Sequence, residues 1–537
     1  MNKTAYIIAS FALLATPLAS CESDAPAVEE RDWQGTTTFF QTADDKKQDT
    51  YYKPFAGFVG DPMPFFDPVA KDFKVLYLQD YRPNPAATYH PIWAVSTKDA
   101  AHYTSLGELI PCGGAAEQDA ALGTGSTIYD ETQRTYYTFY TGNKHQPRQG
   151  DNAQVVMVAT SPDFKTWTKS QTFVIRGNDY GYSANDFRDP YVYKAEDGSG
   201  YRMLVATYKD GKGVLAEFSS TDLKVWKHVG VFMTMMWDRF YECPDLFKMG
   251  DWWYLVYSEK HAAVRRVQYF KGRTLDELKA ATANDAGKWP DDHEGFLDSR
   301  GFYAGKTASD GTNRYIWGWC PTRPGNNNTD VGAYPHEPEW AGNLVAHRLI
   351  QHADGTLTLG EVPAISTQFG QNAAPKLMAQ SAQGVTQNGT NLKLQGEAWA
   401  LFARLGQANR ISFTIKTAAN TDKFGISLVR GSDSEKWYTL VVNPEGADKR
   451  KVNFEEEGPK GKGFVEGIDG YVFARPADNT YNVTIYTDNS MLVMYVNDVC
   501  CYTNRIYNMA KNCWSINSYG GEVNVSNLSV STTNIAH

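Results

Sequence analysis

A phrase repeated five times, about 60 residues apart, restricts this chain more than any other feature. Its clearest copy runs from Asn185 to Tyr208. An acidic tip, Arg188-Asp189-Pro190, leads into a short strand, Tyr191 to Lys194. Turn residues from Glu196 to Gly200 then lead into a second strand, Tyr201 to Tyr208. Aromatic and β-branched runs flanking a polar turn predict a hairpin. Asp61-Pro62 opens the same phrase, which ends in Phe73 to Leu78. Gly125 to Asp130 leads to Thr135 to Tyr140, Glu242 to Phe247 to Trp252 to Tyr257, and Gly301 to Lys306 to Tyr315 to Trp319. A second marker keeps the same step: Ser161-Pro162-Asp163 with Trp167, Ser220-Thr221-Asp222 with Trp226, and a weaker copy from Ser96 to Tyr103. Each is expected to open the outer strand of its unit.

A unit of this length with about four strands is a propeller blade. The chain therefore reads as all-β, with a five-bladed β-propeller over residues 51–365. The first strand of each blade lines the central channel, so the five hairpins aim their opening residues at one axis. Three of these residues, Asp61, Asp189 and Glu242, are acids, and the reading places them at equivalent positions of their blades.

A chain of 537 residues exceeds one ordinary core, so two domains are expected. The texture changes near residue 366. Gln368 to Gly389 is rich in Gln, Ala, Asn and Ser and reads as a connector, with the linker set at 366–385. Alternating runs follow at Arg410–Lys416, Phe424–Arg430, Trp437–Val442, Tyr481–Tyr486 and Met491–Val496. They predict a β-sandwich over residues 386–537.

The net charge of −9, without a basic cluster, argues against a nucleic-acid partner. The aromatic share, 13%, suits β-structure and sugar-binding surfaces. Residues 1–21 read as a signal peptide: Lys3 precedes an apolar run, Ala5 to Ala15, that is too short to span a bilayer. The run ends in Leu18-Ala19-Ser20-Cys21, which resembles a bacterial lipobox. Cleavage and lipidation at Cys21 would leave residues 22–50 as an acidic tether and lead-in. The expectation is an exported monomer, a lipoprotein anchored at the outer membrane of a Gram-negative bacterium. A plain secretory signal with an incidental cysteine is the alternative. None of the other six cysteines has the CxxC spacing of a zinc site.

Glycoside hydrolysis needs two carboxyl groups flanking one bond, one protonated and one ionised. A propeller brings distant residues to one axis, so separation in sequence is no obstacle. Crowding carboxylates also raises the pKa of one of them, and Arg188 beside Asp189 favours the ionised form there. A lone Asp-Pro is usually a turn and a lone Glu-Cys carries no signal. Three acids on one repeat are not explained by turns.

The motifs resemble glycoside hydrolase family 32, the fructan hydrolases and invertases. Phe187-Arg188-Asp189-Pro190 is similar to that family's RDP motif, and Glu242-Cys243-Pro244-Asp245 to its EC motif. Phe302-Tyr303-Ala304, Trp317-Gly318-Trp319 and Trp340-Ala341-Gly342 are similar to its later signatures, and Gly125-Ser126 to its substrate-contacting serine segment. Asp488-Asn489-Ser490, Val496-Asn497-Asp498 and Arg505-Ile506-Tyr507 echo its C-terminal sandwich. The resemblance implies a retaining hydrolase of fructosyl linkages, acting on levan, inulin or their oligosaccharides. Asp61 would be the nucleophile, Glu242 the acid and base, and Asp189 the transition-state stabiliser. It implies no metal or organic cofactor. Substrate contacts are expected at Arg188, Ser126, Phe58 and Tyr303, with Gln79 and Trp93 lining the pocket and Pro324 to Asp330 at its rim. Trp319 and Trp340 are read as packing residues.

One departure is plain. The family's first motif is W-M-N-D-P-N-G, whereas this chain has Phe58-Val59-Gly60-Asp61-Pro62-Met63-Pro64. Gly60 stands where an Asn contacts the sugar, and Phe58 replaces the Trp. Two other readings remain: a glycan-binding surface lipoprotein that has lost catalysis, and a furanosidase of a related propeller family such as an arabinosidase.

Overall fold

The computed structural model describes residues 50–54, 57–81, 90–235, 239–259, 266–282, 295–322, 340–373, 375–419, 422–429, 436–443, 452–457, 475–505, 507 and 512–533. The proposed signal peptide, Cys21, nearly all of the tether and the Pro324–Asp330 loop lie outside them. Among the described residues no helix is long and apolar enough to cross a membrane.

The chain forms a five-bladed β-propeller followed by a β-sandwich. Blade one is built from Phe58–Asp67, Asp72–Asp80, Ile92–Thr97 and Thr104–Ile110. Blade two starts with the hairpin Ala121–Asp130 and Thr135–Asn143, and blade three with Phe187–Lys194 and Tyr201–Lys209. Blade four starts with Tyr241–Met249 and Trp252–Glu259, and blade five with Tyr303–Ser309 and Arg314–Pro321. Each hairpin is antiparallel. Val59 pairs with Gly342, so the sheet of blade five meets the first strand of blade one.

The second marker is a turn between the third and fourth strands. Asp163 accepts the Lys165 and Thr166 N–H groups at 2.9 and 2.8 Å, and the Trp167 indole donates to the Phe164 carbonyl at 3.3 Å. Phe164 takes a left-handed φ of 61°. Asp222, Leu223 and Trp226 repeat this in blade three. In blade one the turn is Thr97, Asp99, Ala100 and Tyr103, one residue later than the Ser96 start expected from sequence. Thr97 supplies the hydroxyl, because it faces the Ala100 N–H at 3.0 Å.

Between neighbouring blades the sheet faces pack on one another. Met63, Leu76, Tyr140 and Phe164 fill the space between blades one and two; Phe139, Phe187, Val205 and Phe218 fill that between two and three. Leu204, Leu215, Phe240 and Leu255 do the same between three and four. A larger cluster joins blades four, five and one to the sandwich through Trp317, Leu344, Tyr486 and Tyr495. The sheets thus hold each other by apolar burial, and the inner strands need no partners across the axis.

In the sandwich the expected strands appear as Ala408–Thr417, Phe424–Val429, Lys436–Val442, Thr480–Asp488 and Met491–Val496. The segment read as a connector is a correction. Gln371–Ala373, Leu377–Gln380 and Val385–Asn388 are short strands paired into the sandwich sheet. Their polar composition fits edge strands with one solvated face. Their main partners, Asn391–Phe402 and the 19-residue Trp514–Thr532, had no counterpart in the sequence reading. Trp514–Thr532 is bent at Gly520, where φ is 89°. There it leaves Phe424–Val429 and takes up Ala408–Thr417.

Beside the apolar cluster, the seam between the domains has a buried polar part. Arg505 is buried and donates to the Pro321 and Cys320 carbonyls, Asn343 Oδ1 and Ser490 Oγ. Asp488 accepts the Thr50 N–H at 2.7 Å. The Asp488–Ser490 and Arg505 motifs therefore serve docking.

Candidate active site

All five first strands break register at the same place. The breaks fall between Gly60 and Met63, Gly123 and Gly125, Arg188 and Tyr191, Glu242 and Asp245, and Tyr303 and Lys306. A bulge inserts an unpaired residue and re-aims its side chain. Asp61, Asp189, Cys243 and Ala304 take positive φ there, at 32°, 58°, 51° and 54°. Non-glycine residues avoid this region, so the blade packing holds four strained positions around one axis.

The bulges correct one expectation. Asp61 and Asp189 are equivalent, but Glu242 precedes its bulge and aligns with Arg188, not Asp189. Cys243 holds the aspartate position. Aligning the copies on Pro190 and Pro244 shows the offset. The extra methylene of Glu reaches the axis from one residue earlier.

Asp61, Asp189, Glu242, Arg188 and Tyr303 line one cavity of about 410 Å³, with His90, Thr124, Asn143, Gln154 and Trp340 among its other walls. Asp61 Oδ2 accepts from the Thr124 hydroxyl at 2.8 Å and Oδ1 from the Trp319 indole N–H at 3.0 Å. Two neutral donors thus fix the orientation of this carboxylate. Glu242 Oε1 accepts from Arg188 Nη2 at 2.9 Å and Oε2 from the Tyr303 hydroxyl at 2.5 Å. Arg188 also reaches Asp186 at 2.8 Å and lies 4.0 Å from the centroid of the Phe240 ring. This guanidinium is pinned between two carboxylates, Asp186 and Glu242, and by a cation–π face.

Asp189 sits deepest. Its Oδ2 accepts the Cys243 N–H at 2.8 Å, and its own N–H donates to Thr141 Oγ1 at 2.9 Å. Burial pushes its carboxyl up to about 6; Glu242 and Asp61 add to this, while Arg188 and the Cys243 N–H oppose it. Burial also raises the Cys243 thiol well above its ordinary value, so it is not a thiolate nucleophile. Lys306 is buried behind the acids and donates to the Gly125 carbonyl at 2.8 Å; burial lowers its pKa.

Four expected contacts are not among the cavity walls. Ser126 is buried and donates to the Pro190 carbonyl at 2.9 Å while accepting the Val192 N–H at 2.9 Å, so it joins blade two to blade three. Thr124, at the bulge two residues earlier, faces the cavity in its place. Gln79 is fully buried on the second strand, opposite Val59. Trp93 packs on the core and edge-on to Tyr81. Phe58 lies at the start of the first strand with the Lys53 ammonium 4.8 Å from its ring centroid. Gln79 lies on the second strand and Trp93 on the third strand of blade one, away from the axis. Trp319 combines the packing role expected of it with a hydrogen bond to Asp61.

The altered first motif has a local cause. A Cβ at Gly60 would collide with the Trp340 indole, which meets the His90 ring at a tilt with 4.3 Å between centroids. The volume that an Asn would take in the family's motif is filled by an aromatic wall contributed by Trp340.

Acids far apart in sequence but convergent on one propeller axis mark the carbohydrate-hydrolysing propellers as a class. Within that class, this chain belongs to glycosyl hydrolases family 32: the family's N-terminal domain matches residues 51–362. The domain described as "GH32, BT1760-like, C-terminal domain" matches residues 355–530. A β-fructofuranosidase of Arabidopsis thaliana, insoluble isoenzyme CWINV2, is 28% identical over 43% of this chain and 42% of its own length. A sucrose-6-phosphate hydrolase of Vibrio alginolyticus is 28% identical over 53% of this chain and 58% of its own. The match thus spans about half the length of these relatives. Among solved structures, an exo-inulinase from Aspergillus awamori superposes with a TM-score of 0.66 at 15% identity, covering 92% of this chain and 99% of that one. At that identity the likeness shows the fold.

Proposed function

We propose that this protein is a retaining β-fructosidase that releases fructose from fructans. Asp61 attacks the anomeric carbon of a fructosyl unit while Glu242 gives a proton to the departing oxygen. The glycosidic bond breaks and a fructosyl ester of Asp61 forms. Glu242 then takes a proton from water, whose oxygen bonds to the anomeric carbon as the ester opens. Asp189 accepts hydrogen bonds from the sugar hydroxyls as positive charge develops on the ring.

The observation that carries this reading is the division of labour within one cavity. Asp61 accepts from the Thr124 hydroxyl and the Trp319 indole N–H, whereas Glu242 accepts from the Arg188 guanidinium and the Tyr303 hydroxyl. A nucleophile needs a fixed orientation; an acid–base group must be held in place while it gives its proton to the leaving oxygen and regains one from water. A structural neighbour, a fructan 1-exohydrolase from Cichorium intybus in complex with 1-kestose, favours a fructosyl oligosaccharide as substrate. The Trp340–His90 wall favours a fructan chain with stacking sugar faces over a phosphorylated disaccharide.

Incubation with levan, inulin, sucrose and arabinofuranosides tests the proposal. Fructose release with retained anomeric configuration, seen by NMR before mutarotation, is the expected result. Binding without release supports the lectin-like reading, and release only from arabinofuranosides supports another propeller family. We also propose an outer-membrane lipid anchor at Cys21, supported by Leu18-Ala19-Ser20-Cys21. Mass spectrometry of the mature N-terminus should find an acylated Cys21, lost in Cys21→Ser.

A further inference from the structure

Behind the acids lies a cation that the chemistry above does not use. Lys306 stands on the first strand of blade five, Tyr303–Ser309, just after its register break. Tyr303, on the other side of that break, reaches Glu242, whereas Lys306 is 2% exposed and is not among the cavity walls. We propose that Lys306 is a positioning residue of the active site. Its ammonium keeps Asp61 and Asp189 ionised together and fixes the bulge that carries Thr124. The proposal rests on the reading of the funnel as catalytic.

The geometry is that of a clamp between inner strands. Lys306 Nζ donates to the Gly125 carbonyl of blade two at 2.8 Å and lies 5.2 Å from the centroid of the Tyr191 ring of blade three. Gly125 follows Thr124, whose hydroxyl donates to Asp61, and Tyr191 follows Asp189-Pro190. Asp245 of blade four accepts the N–H of the next residue, Thr307, at 2.7 Å. Lys306 and Thr307 thus join blade five to blades two, three and four beside the segments that carry the acids.

Among the described residues Lys306 forms no direct ion pair, and its hydrogen bond goes to a neutral carbonyl. Burying an ammonium on those terms is costly unless charges at longer range offset it. Burial works against its charge; the Cys243 sulfur, Asp245, Asp189 and Asp61 work for it. Arg314, on the next strand of the same blade, acts on Asp245 from another side. Glu259 and Arg266, on the blade-four strands that pack against this one, are cross-strand neighbours of each other. In the funnel Arg188 is already engaged: Glu242 and Asp186 lie 2.9 and 2.8 Å from it, and Asp189 4.0 Å. Asp61 and Asp189 raise each other's pKa by repulsion, yet the reaction uses both as anions. A second cation behind them makes that state accessible. Because Lys306 does not line the cavity, it acts through the aspartates and not on the sugar.

The test is the pH profile of fructose release from levan and inulin by the full chain, wild type against Lys306→Met and Lys306→Gln. Met removes charge and donor; Gln keeps a donor for the Gly125 carbonyl. In both variants the acid limb of kcat/KM should move up by about 0.5–1 pH unit. The deficit should then be about 3- to 10-fold below the limb and shrink as pH rises. It should fall on kcat, with KM within about twofold of wild type. Gln should lose less than Met at high pH. A loss that is uniform across pH, with the limb unmoved in both variants, makes Lys306 merely structural and overturns the proposal. Should neither variant fold, wild type with ¹⁵N-labelled lysine decides. The exchange-protected ammonium should shift as pH passes about 6, the value to which the Asp189 carboxyl is raised; a signal that does not move there refutes the coupling. Wild type that releases no fructose fails the fructosidase reading, and the ¹⁵N titration then judges the coupling of Lys306 to the acids by itself.

Discussion

Two buried polar clusters hold this molecule's chemistry, and they are built in opposite ways. The funnel takes its side chains from at or just before the register break in the first strands of the blades, and opens into a cavity. The seam takes Asp298, His347, Cys501 and Thr503 from unrelated segments of two domains and is sealed. In the funnel the carboxylates border a cavity of about 410 Å³ that a substrate can enter. In the seam every oxygen of Asp298 is occupied, which suits docking. Similar residue types thus line an open cavity in one place and a sealed seam in the other, and the distinction is one of access.

The contrast breaks most easily at the nucleophile. Asp61→Asn or Glu242→Gln should lower fructose release by at least roughly a thousandfold, with little change in thermal midpoint. A comparable loss of stability in either variant would make the funnel a structural cluster like the seam. The converse test is Asp298→Asn. Disrupting this buried constellation should cost about 3–5 kcal/mol in urea unfolding, while the specific activity of the folded fraction is retained.

Asp189 links the two properties through pH. Its folded pKa of about 6 lies above the ordinary carboxylate value, so the native state holds its proton more tightly than the unfolded chain. The stabilising contribution is complete below about pH 4 and is lost as pH rises through 6. Activity should run the other way, with an acid limb in kcat/KM near pH 6, because the reaction uses the ionised form. Relative to wild type, Asp189→Asn should gain up to roughly 3 kcal/mol of stability between pH 4 and 7. Melting curves at several pH values on both proteins check this; a pH-independent difference would contradict it. The smallest expected effect is at Thr124→Val. Losing one neutral donor to Asp61 should reduce kcat/KM by about 10- to 100-fold, with the melting temperature nearly unchanged.

Much of this was legible in the sequence. The hairpins and their period follow from turn residues and aromatic runs, which are local signals, and the repeat multiplies them. Asp61, Asp189 and Glu242 could be singled out because the same phrase carried each. Where the signal weakened, the reading slipped. Trp514–Thr532 is too polar to stand out, since its pattern follows a bent strand serving four partners. Ser126 looked equivalent to a site residue but points into the neighbouring blade, while Thr124 faces the axis.

By itself, then, the chain's order determined its architecture class and the identities of three axial acids, because period and turn chemistry are properties of neighbours in sequence. Tertiary packing alone decided which oxygen meets which donor, how Trp340 occupies the space over Gly60, and that Asp298, His347 and Cys501 share one point. These are contacts between residues tens to hundreds of positions apart. Their geometry is set by how whole sheets press together, which no local pattern encodes.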